Sequence, residues 1–181
     1  MYEVLLIKYA SQTLANKKLA NLFTFRNKEK INIEKMVFGW NEILNAKDFY
    51  VEILSISESS AQIYAYRPEK LKCALCQSQT KCLLEKLGYN TKDTDQCINH
   101  LKKRFRKENF PHEIGIFLGY PYEDVIGFIE NKGHKYLTNG YWKVYSNKEE
   151  KLKLFDEYNE IKKSYKTIYN HHKNLVNLCA V

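Results

Sequence analysis

The pattern of apolar positions in the first half of the chain predicts helices around one β-hairpin. Residues 3–25 carry apolar side chains at spacings typical of one or two short helices, and Asn27 is placed to cap a further helix over residues 28–46. Residues 49–56 and 61–67 are rich in β-branched and aromatic side chains, and the serine-rich stretch between them is typical of a turn. We therefore predict that these two stretches form a hairpin.

Start and stop signals divide the second half into further elements. Pro68 suits the first turn of a helix that runs to about Leu87, where Gly88 would end it, and Asp93 or Thr94 is placed to cap a basic helix. The remaining pattern predicts, in order, a buried strand over residues 112–118, a helix over 121–130, a strand over 141–145 and a long helix from Asn147 toward Asn170.

This order of elements predicts an α+β fold in a single domain of residues 1–181. We expect a small, mainly antiparallel sheet of about four strands, packed with helices and followed by a long C-terminal helix. A dinucleotide-binding fold is not predicted, because no glycine-rich phosphate loop follows a strand.

The composition predicts the compartment of the protein and a positive charge on its surface. Hydrophobic residues make up 44% of the chain and charged residues 28%, which is typical of a globular protein. No stretch approaches the ~20 apolar residues of a membrane span, and the first residues lack the features of a signal peptide. We therefore predict a cytoplasmic protein with reduced cysteines. The net charge of +8 allows an acidic partner.

Residues 111–131 are the most informative stretch of the sequence. They contain three of the chain's seven glycines and two of its three prolines. Gly119, Tyr120 and Pro121 predict a sharp corner that points the free N–H groups of the following helix outward, as in a ligand site. The alternative is structural, with glycines for close packing and with Glu123 and Asp124 as capping acids.

His112 offers a second, catalytic interpretation of this stretch. A histidine at the start of a strand can act as an acid or base, with Glu113 or Asp124 nearby. Neighbouring strand residues face opposite ways, so only one of His112 and Glu113 is expected to face a pocket. A zinc protease motif is not present, since residue 116 is Ile where a second histidine would stand.

Cysteines and basic residues form two further clusters. Cys73, Cys76, Cys82 and Cys97 open with a metal-like spacing that the second pair does not repeat, so we predict buried, inert thiols and no metal site. The basic run over residues 102–107, which includes Lys102 and Lys107, would suit a nucleic-acid-binding module. A solvated helix face is the simpler interpretation of that run.

The stretch PHEIGIFLGYPYEDVIGFIEN, followed by NGYWKVY and a lysine-rich final helix, resembles the bacterial, mostly clostridial, domain-of-unknown-function family 3793. The resemblance covers nearly the whole chain. Residues 66–71 (YRPEKL) are similar to the family's tyrosine-arginine-proline strand end, and residues 13–15 with 20–23 resemble a degraded form of its N-terminal motif.

The resemblance implies no reaction, and it indicates what this chain has changed. Relatives usually carry an alanine-proline-threonine-leucine-alanine-glycine motif, often preceded by histidine and cysteine. Here Gln12 and Asn16 stand in place of the proline and glycine, and Tyr9 and Ala10 in place of the histidine-cysteine pair. The family's association with flavodoxin and iron uptake implies a role in redox or iron handling.

The sequence therefore predicts a cytosolic ligand- or protein-binding protein more strongly than an enzyme, and it identifies no cofactor. The ligand would be a small molecule or an acidic redox protein such as flavodoxin. The predicted ligand-binding residues surround the corner: Arg67, His112, Gly119, Tyr120 and Trp142. An enzyme that uses His112 and a nucleic-acid-binding module remain the alternatives.

Overall fold

The computed structural model describes residues 2–107, 110–172 and 174–180. Its centre is an antiparallel three-stranded sheet of β1 (Ala20–Arg26), β2 (Tyr50–Ile56) and β3 (Ser60–Tyr66), in the order β1-β3-β2. The predicted hairpin is confirmed as β2 and β3, and a backbone bond from Ser57 N to Ser60 O (2.8 Å) closes its turn. A separate two-stranded sheet pairs β4 (Thr138–Asn139) with β5 (Lys143–Val144).

Helices cover both faces of the three-stranded sheet. They are α1 (Glu3–Leu14), α2 (Ile33–Leu44), α3 (Pro68–Cys76), α4 (Ser78–Lys86), α5 (Thr94–Lys107), α6 (Ile114–Phe117), α7 (Tyr122–Glu130), α8 (Lys148–His172) and α9 (Leu175–Leu178), with a 3-10 turn at Asn45–Lys47. The α+β class, the antiparallel pairing and the long C-terminal helix are confirmed. Within the described ranges, no helix is long and apolar enough to cross a membrane.

The sheet separates two hydrophobic cores. On one face, Phe23, Val51 and Ile63 pack with α1, α2 and α9. On the other face, Tyr64 and Tyr66 pack with side chains from α3 to α7. A third, smaller cluster joins β5 to α8 through Trp142, Val144, Phe155 and Tyr158. The second core and the third cluster meet at Tyr120, which packs against both.

Two predicted elements have the wrong type. Residues 20–26 form β1 instead of part of a helix, because Ala20 and Leu22 contact one core while Phe23 and Phe25 contact the other. A strand buried on both faces loses the alternation that identifies strands. The predicted strand over residues 112–118 is instead the short helix α6, since a fully buried apolar run fits either type.

Two other helix boundaries differ from the prediction, and one agrees with it. Asn32, not Asn27, caps α2, and its Oδ1 accepts a bond from Lys35 N at 2.8 Å. The predicted helix from Pro68 to Leu87 is two helices, separated where Gln77 adopts an extended ψ of 133°. Asp93 does cap α5, because its Oδ1 accepts from Gln96 N at 2.9 Å.

Candidate functional site

The corner between α6 and α7 depends on one glycine. Gly119 has a φ of 72°, a conformation that favours glycine. A Cβ atom added there would lie 2.7 Å from Leu19 Cβ, so the corner packs directly against the residue that leads into β1. The turn is closed by a bond from Tyr120 N to Gly115 O at 2.9 Å. The predicted corner is therefore present, although a helix rather than a strand leads into it.

Asp124 ties the corner to the segment that contains Trp142. The carboxylate of Asp124 is buried, and it accepts bonds from Trp142 Nε1 (2.7 Å), Tyr145 N (2.7 Å) and Ser146 N (3.0 Å). These bonds hold Trp142 so that its ring stacks on Tyr120, with the centroids 4.7 Å apart. Asp124, which was predicted as a capping acid, makes no side-chain cap on α7 and instead positions two predicted site residues.

An apolar cavity of about 270 Å³ opens between α7 and the β4–β5 hairpin. Its walls include the rings of His112, Tyr120, Phe128 and Trp142, with Phe110 and Tyr141 also in the lining. The His112 ring meets the Phe128 ring edge-on at 5.1 Å between centroids. Burial raises the pKa of Tyr120 to about 12, and its hydroxyl donates to Tyr141 O at 3.3 Å. Three of the five predicted site residues therefore line one cavity.

The structure brings His112 to this cavity without an available acid partner among the residues predicted for it. Glu113 is buried and bonds Tyr89 Oη (2.8 Å) and Arg104 instead. Asp124 lines the cavity, but its oxygens accept the bonds from Trp142 and residues 145–146 described above. The geometry therefore gives little support to acid–base catalysis by His112.

Gly119 lies on the other side of Tyr120, in a second pocket of about 510 Å³. This pocket also contains Lys70 and Cys73. Lys70 Nζ donates to Asn16 O at 2.5 Å, and its pKa is lowered by burial and by the neighbouring charges of Arg67 and Lys17. Tyr120 therefore forms a shared wall between an apolar cavity and a more polar pocket.

Comparison with known proteins gives one match. A family model described as "Protein of unknown function (DUF3793)" matches residues 6–179. The chain belongs to DUF3793. The predicted family resemblance is thus confirmed over nearly the whole chain, including the corner and the N-terminal segment. Neither the curated proteins nor the solved structures contain a match to this DUF3793 chain.

Arg67, the remaining predicted site residue, does not line the aromatic cavity of this DUF3793 protein. Its side chain is fully buried, and its guanidinium donates to backbone carbonyls at the ends of helical segments. The acceptors are Thr13 O (2.9 Å), Leu14 O (2.8 Å), Lys47 O (2.6 Å) and Ala180 O (2.7 Å). Arg67 therefore has a structural role. The sequence around Arg67 does not indicate this role, because the acceptors lie far away along the chain.

Two buried residues beside the site were not predicted. Gln12 Nε2 donates to Tyr141 Oη at 2.9 Å and to Tyr158 O at 3.2 Å. Lys18 Nζ donates to Ala20 O at 2.7 Å and lies 5.2 Å from the Tyr120 ring centroid. The sequence pattern does not indicate that these two side chains are buried, because isolated polar residues are usually exposed.

The cysteines do not match the prediction of buried thiols. Cys73, Cys76 and Cys82 are exposed, and only Cys97 of the predicted four is buried. The three exposed cysteines lie on outer positions of α3 and α4, which are separate helices rather than one. Across the part of the chain that the structure describes, no three His, Cys, Asp or Glu side chains are grouped as a metal site requires.

The basic run of α5 is interrupted by ion pairs. Lys102 pairs with Glu52 at 2.6 Å, and Arg104 pairs with Glu113. Lys103, Arg106 and Lys107 remain exposed. The run is therefore partly neutralised by neighbouring acids, which weakens the case for a phosphate-binding stripe.

Proposed function

We propose that this DUF3793 protein binds a small, mainly apolar ring compound in the cavity between α7 and the β4–β5 hairpin. One observation carries the proposal: His112, Tyr120 and Trp142, which are separated in sequence, form walls of the same cavity. Pockets that bind small molecules are mostly apolar, with few polar groups that fix orientation. A planar ring would extend the stack that Tyr120 and Trp142 already form.

Lys143 indicates the polar group that such a ligand would carry. It lines the cavity, and its Nζ donates to Gly133 O at 2.8 Å. An ammonium has three donors, so two remain for a ligand. A carboxylate or phenolic oxygen is the complementary group. The cavity is just below the range for drug-sized ligands, so a ring compound of roughly ten non-hydrogen atoms suits it.

The cytoplasm is the compartment we propose for this binding. Three thiols are exposed on α3 and α4, and exposed thiols persist in a reducing compartment.

Titration calorimetry with p-cresol and with benzoate tests the proposal. The substitution Phe128→Ala removes one aromatic wall and should weaken binding of the better probe about fivefold, because a buried aromatic contact contributes about 1 kcal/mol. Phe38→Ala is the matched control, since Phe38 is exposed on α2 and does not line the cavity.

Wild-type protein and the Phe38→Ala variant should bind the probe equally. The proposal fails if the wild type binds neither probe, or if a folded Phe128→Ala variant binds as tightly as the wild type. Circular dichroism of each variant shows whether it is folded.

A further inference from the structure

One edge of the three-stranded sheet lies open between two helices. β2 is an edge strand, since the order is β1-β3-β2. α2 contacts β2 from the face of one core and α5 from the face of the other. Between them runs a groove of about 910 Å³ along residues 51–57, with Phe38 on the α2 side and Arg106 on the α5 side.

The outer edge of β2 already makes one pair of hydrogen bonds of the kind that a neighbouring strand would make. The side-chain amide of Asn41 donates to Val51 O (2.9 Å) and accepts from Val51 N (2.8 Å), as the backbone of a neighbouring strand would. The groups of Val51 therefore point away from β3. Antiparallel residues alternate, and the pairing of β2 with β3 is regular as far as Ile53, before a register shift between Ile53 and Ser55. The N–H and C=O of Ile53 therefore point the same way as those of Val51. In the described ranges, no hydrogen bond from outside the sheet reaches them.

The walls of the groove expose apolar side chains that are rare on a surface. Phe38 is 64% exposed and Ile56 is 55% exposed, and both line the groove. Phe105 lines it too, and its ring is partly buried against the neighbouring core. Exposed apolar side chains beside an edge strand are typical of an interaction surface.

The charges along the groove favour an acidic occupant on the α5 side. Lys102 neutralises Glu52 at 2.6 Å. Arg106 is exposed and makes no ion pair within the described part of the chain, and the protein carries a net charge of +8. Among the lining residues that the structure describes, Glu34 is the one acid on the α2 side. A carboxylate placed against α5 would therefore meet an unopposed cation.

We propose that this groove binds an extended, acidic segment of another protein, which adds to β2 as a further strand. Backbone bonds to the free edge would supply affinity, while Phe38, Ile56 and Arg106 would select apolar and acidic side chains. A second copy of this chain fits less well. Antiparallel pairing of two β2 strands would place both α5 helices, with their exposed cations, on the same face.

Three synthetic peptides test the proposal by fluorescence anisotropy. The first alternates glutamate and valine over six residues, with both ends blocked. The second replaces glutamate by lysine, and the third keeps the first sequence but carries N-methyl groups on the amides of one edge. The first should bind, and the other two should bind about tenfold or more weakly, because one loses charge complementarity and the other loses strand hydrogen bonds.

Two arginine variants locate the site. Arg106→Glu should weaken binding of the acidic peptide about tenfold or more. Arg26→Glu is the matched control, since Arg26 is also exposed but lies on β1, at the opposite edge of the sheet, and it should bind as the wild type does.

Four results would overturn the proposal. They are no binding of the acidic peptide, equal binding of the N-methylated peptide, tighter Arg106-dependent binding of polyuridine RNA, and a dimer in sedimentation that the acidic peptide dissociates. The last two would assign the groove to nucleic acid or to a second copy.

Discussion

The guanidinium of Arg67 is fully buried, and in the described ranges it has no carboxylate partner. Its charge is balanced by carbonyl groups at the ends of α1 and of the 3-10 turn and by Ala180 O, which follows α9. At the end of α1 the helix dipole adds partial negative charge. A planar guanidinium offers five donors in fixed directions, so it can reach several carbonyls at once. A lysine at this position has fewer donors at a single point.

Replacing Arg67 should therefore destabilise the protein even when the charge is kept. We expect Arg67→Lys to lower the free energy of unfolding by about 2–4 kcal/mol, because buried carbonyls lose their donors. Urea unfolding measures this change. Arg26→Lys on the exposed edge of β1 should stay within about 0.5 kcal/mol of the wild type. Equal stabilities of the two variants would contradict the structural role of Arg67.

Lys18 is a buried cation of a different kind. It is 5% exposed, and its Nζ donates to a single carbonyl, Ala20 O. Burial lowers the pKa of Lys18 from 10.5 to about 7. Between these two values the unfolded chain holds the proton more tightly than the folded protein does. Stability from this group therefore increases as the pH rises through that window and is lowest at and below its lower end.

Lys18→Met should remove this pH dependence. At pH 7 the variant should be more stable than the wild type, because it buries no ammonium. For each pH unit from 7 toward 10, the ratio of the variant's folding equilibrium constant to that of the wild type should fall about tenfold. The reason is that the unfolded wild type binds one more proton than the folded protein in this range. Urea unfolding at several pH values gives the comparison. Lys17→Met, at an exposed neighbour, should leave the slope unchanged, and a constant difference for Lys18→Met would refute the prediction.

At the scale of elements, two glycines have opposite roles. Gly119 makes the corner between α6 and α7 with a positive φ, and Leu19 occupies the space that a Cβ atom would need. Gly39 lies inside α2, and an added Cβ atom would meet nothing within 4 Å. The first glycine is required by the backbone and its neighbour, and the second only weakens a helix.

The same substitution should consequently change stability in opposite directions at these sites. Gly119→Ala should cost about 2–4 kcal/mol through backbone strain and the contact with Leu19. Gly39→Ala should gain about 0.5–1 kcal/mol through helix propensity. Thermal unfolding of both variants measures the two effects. A Gly119→Ala variant as stable as the wild type would show that the corner is not specially constrained.

Elements with local signals could be predicted from the sequence, and elements defined by distant contacts could not. The β2–β3 hairpin follows from its serine turn, and α5 follows from the Asp93 cap. β1 was missed because it touches both cores, and α6 because it is short and buried. The glycines and aromatic residues near the corner predicted a ligand site there, and three of the five residues predicted for it line the aromatic cavity.

Site residues with remote partners left no such signal. Arg67 bonds carbonyls near both ends of the described chain, and Gln12 reaches Tyr141 and Tyr158. Their sequence neighbours contain no sign of these contacts. Asp124 was predicted as a capping acid or as a partner of His112, and not as an acceptor for residues 142–146, because these donors lie in a loop and short strand beyond α7.

At the scale of the whole molecule, the two proposed binding sites use different elements. The aromatic cavity lies between α7 and the β4–β5 hairpin, while the groove follows β2 between α2 and α5. They share none of their lining residues. Phe128→Ala should therefore leave binding of the acidic peptide unchanged, and Arg106→Glu should leave binding of the ring compound unchanged. Each proposal can thus fail without affecting the other.

The bonds of Arg67 also determine how early, during synthesis of the chain, water can leave the interior around its guanidinium. One of its acceptors, Ala180 O, lies 113 residues further along the chain. Ribosomes add about 5–20 residues per second, so this carbonyl is made roughly 6–23 seconds after the arginine. Until then, the sheet can form with its flanking helices, but the cation between them must keep part of its hydration. Expulsion of that water is therefore a late step in the maturation of the nascent protein.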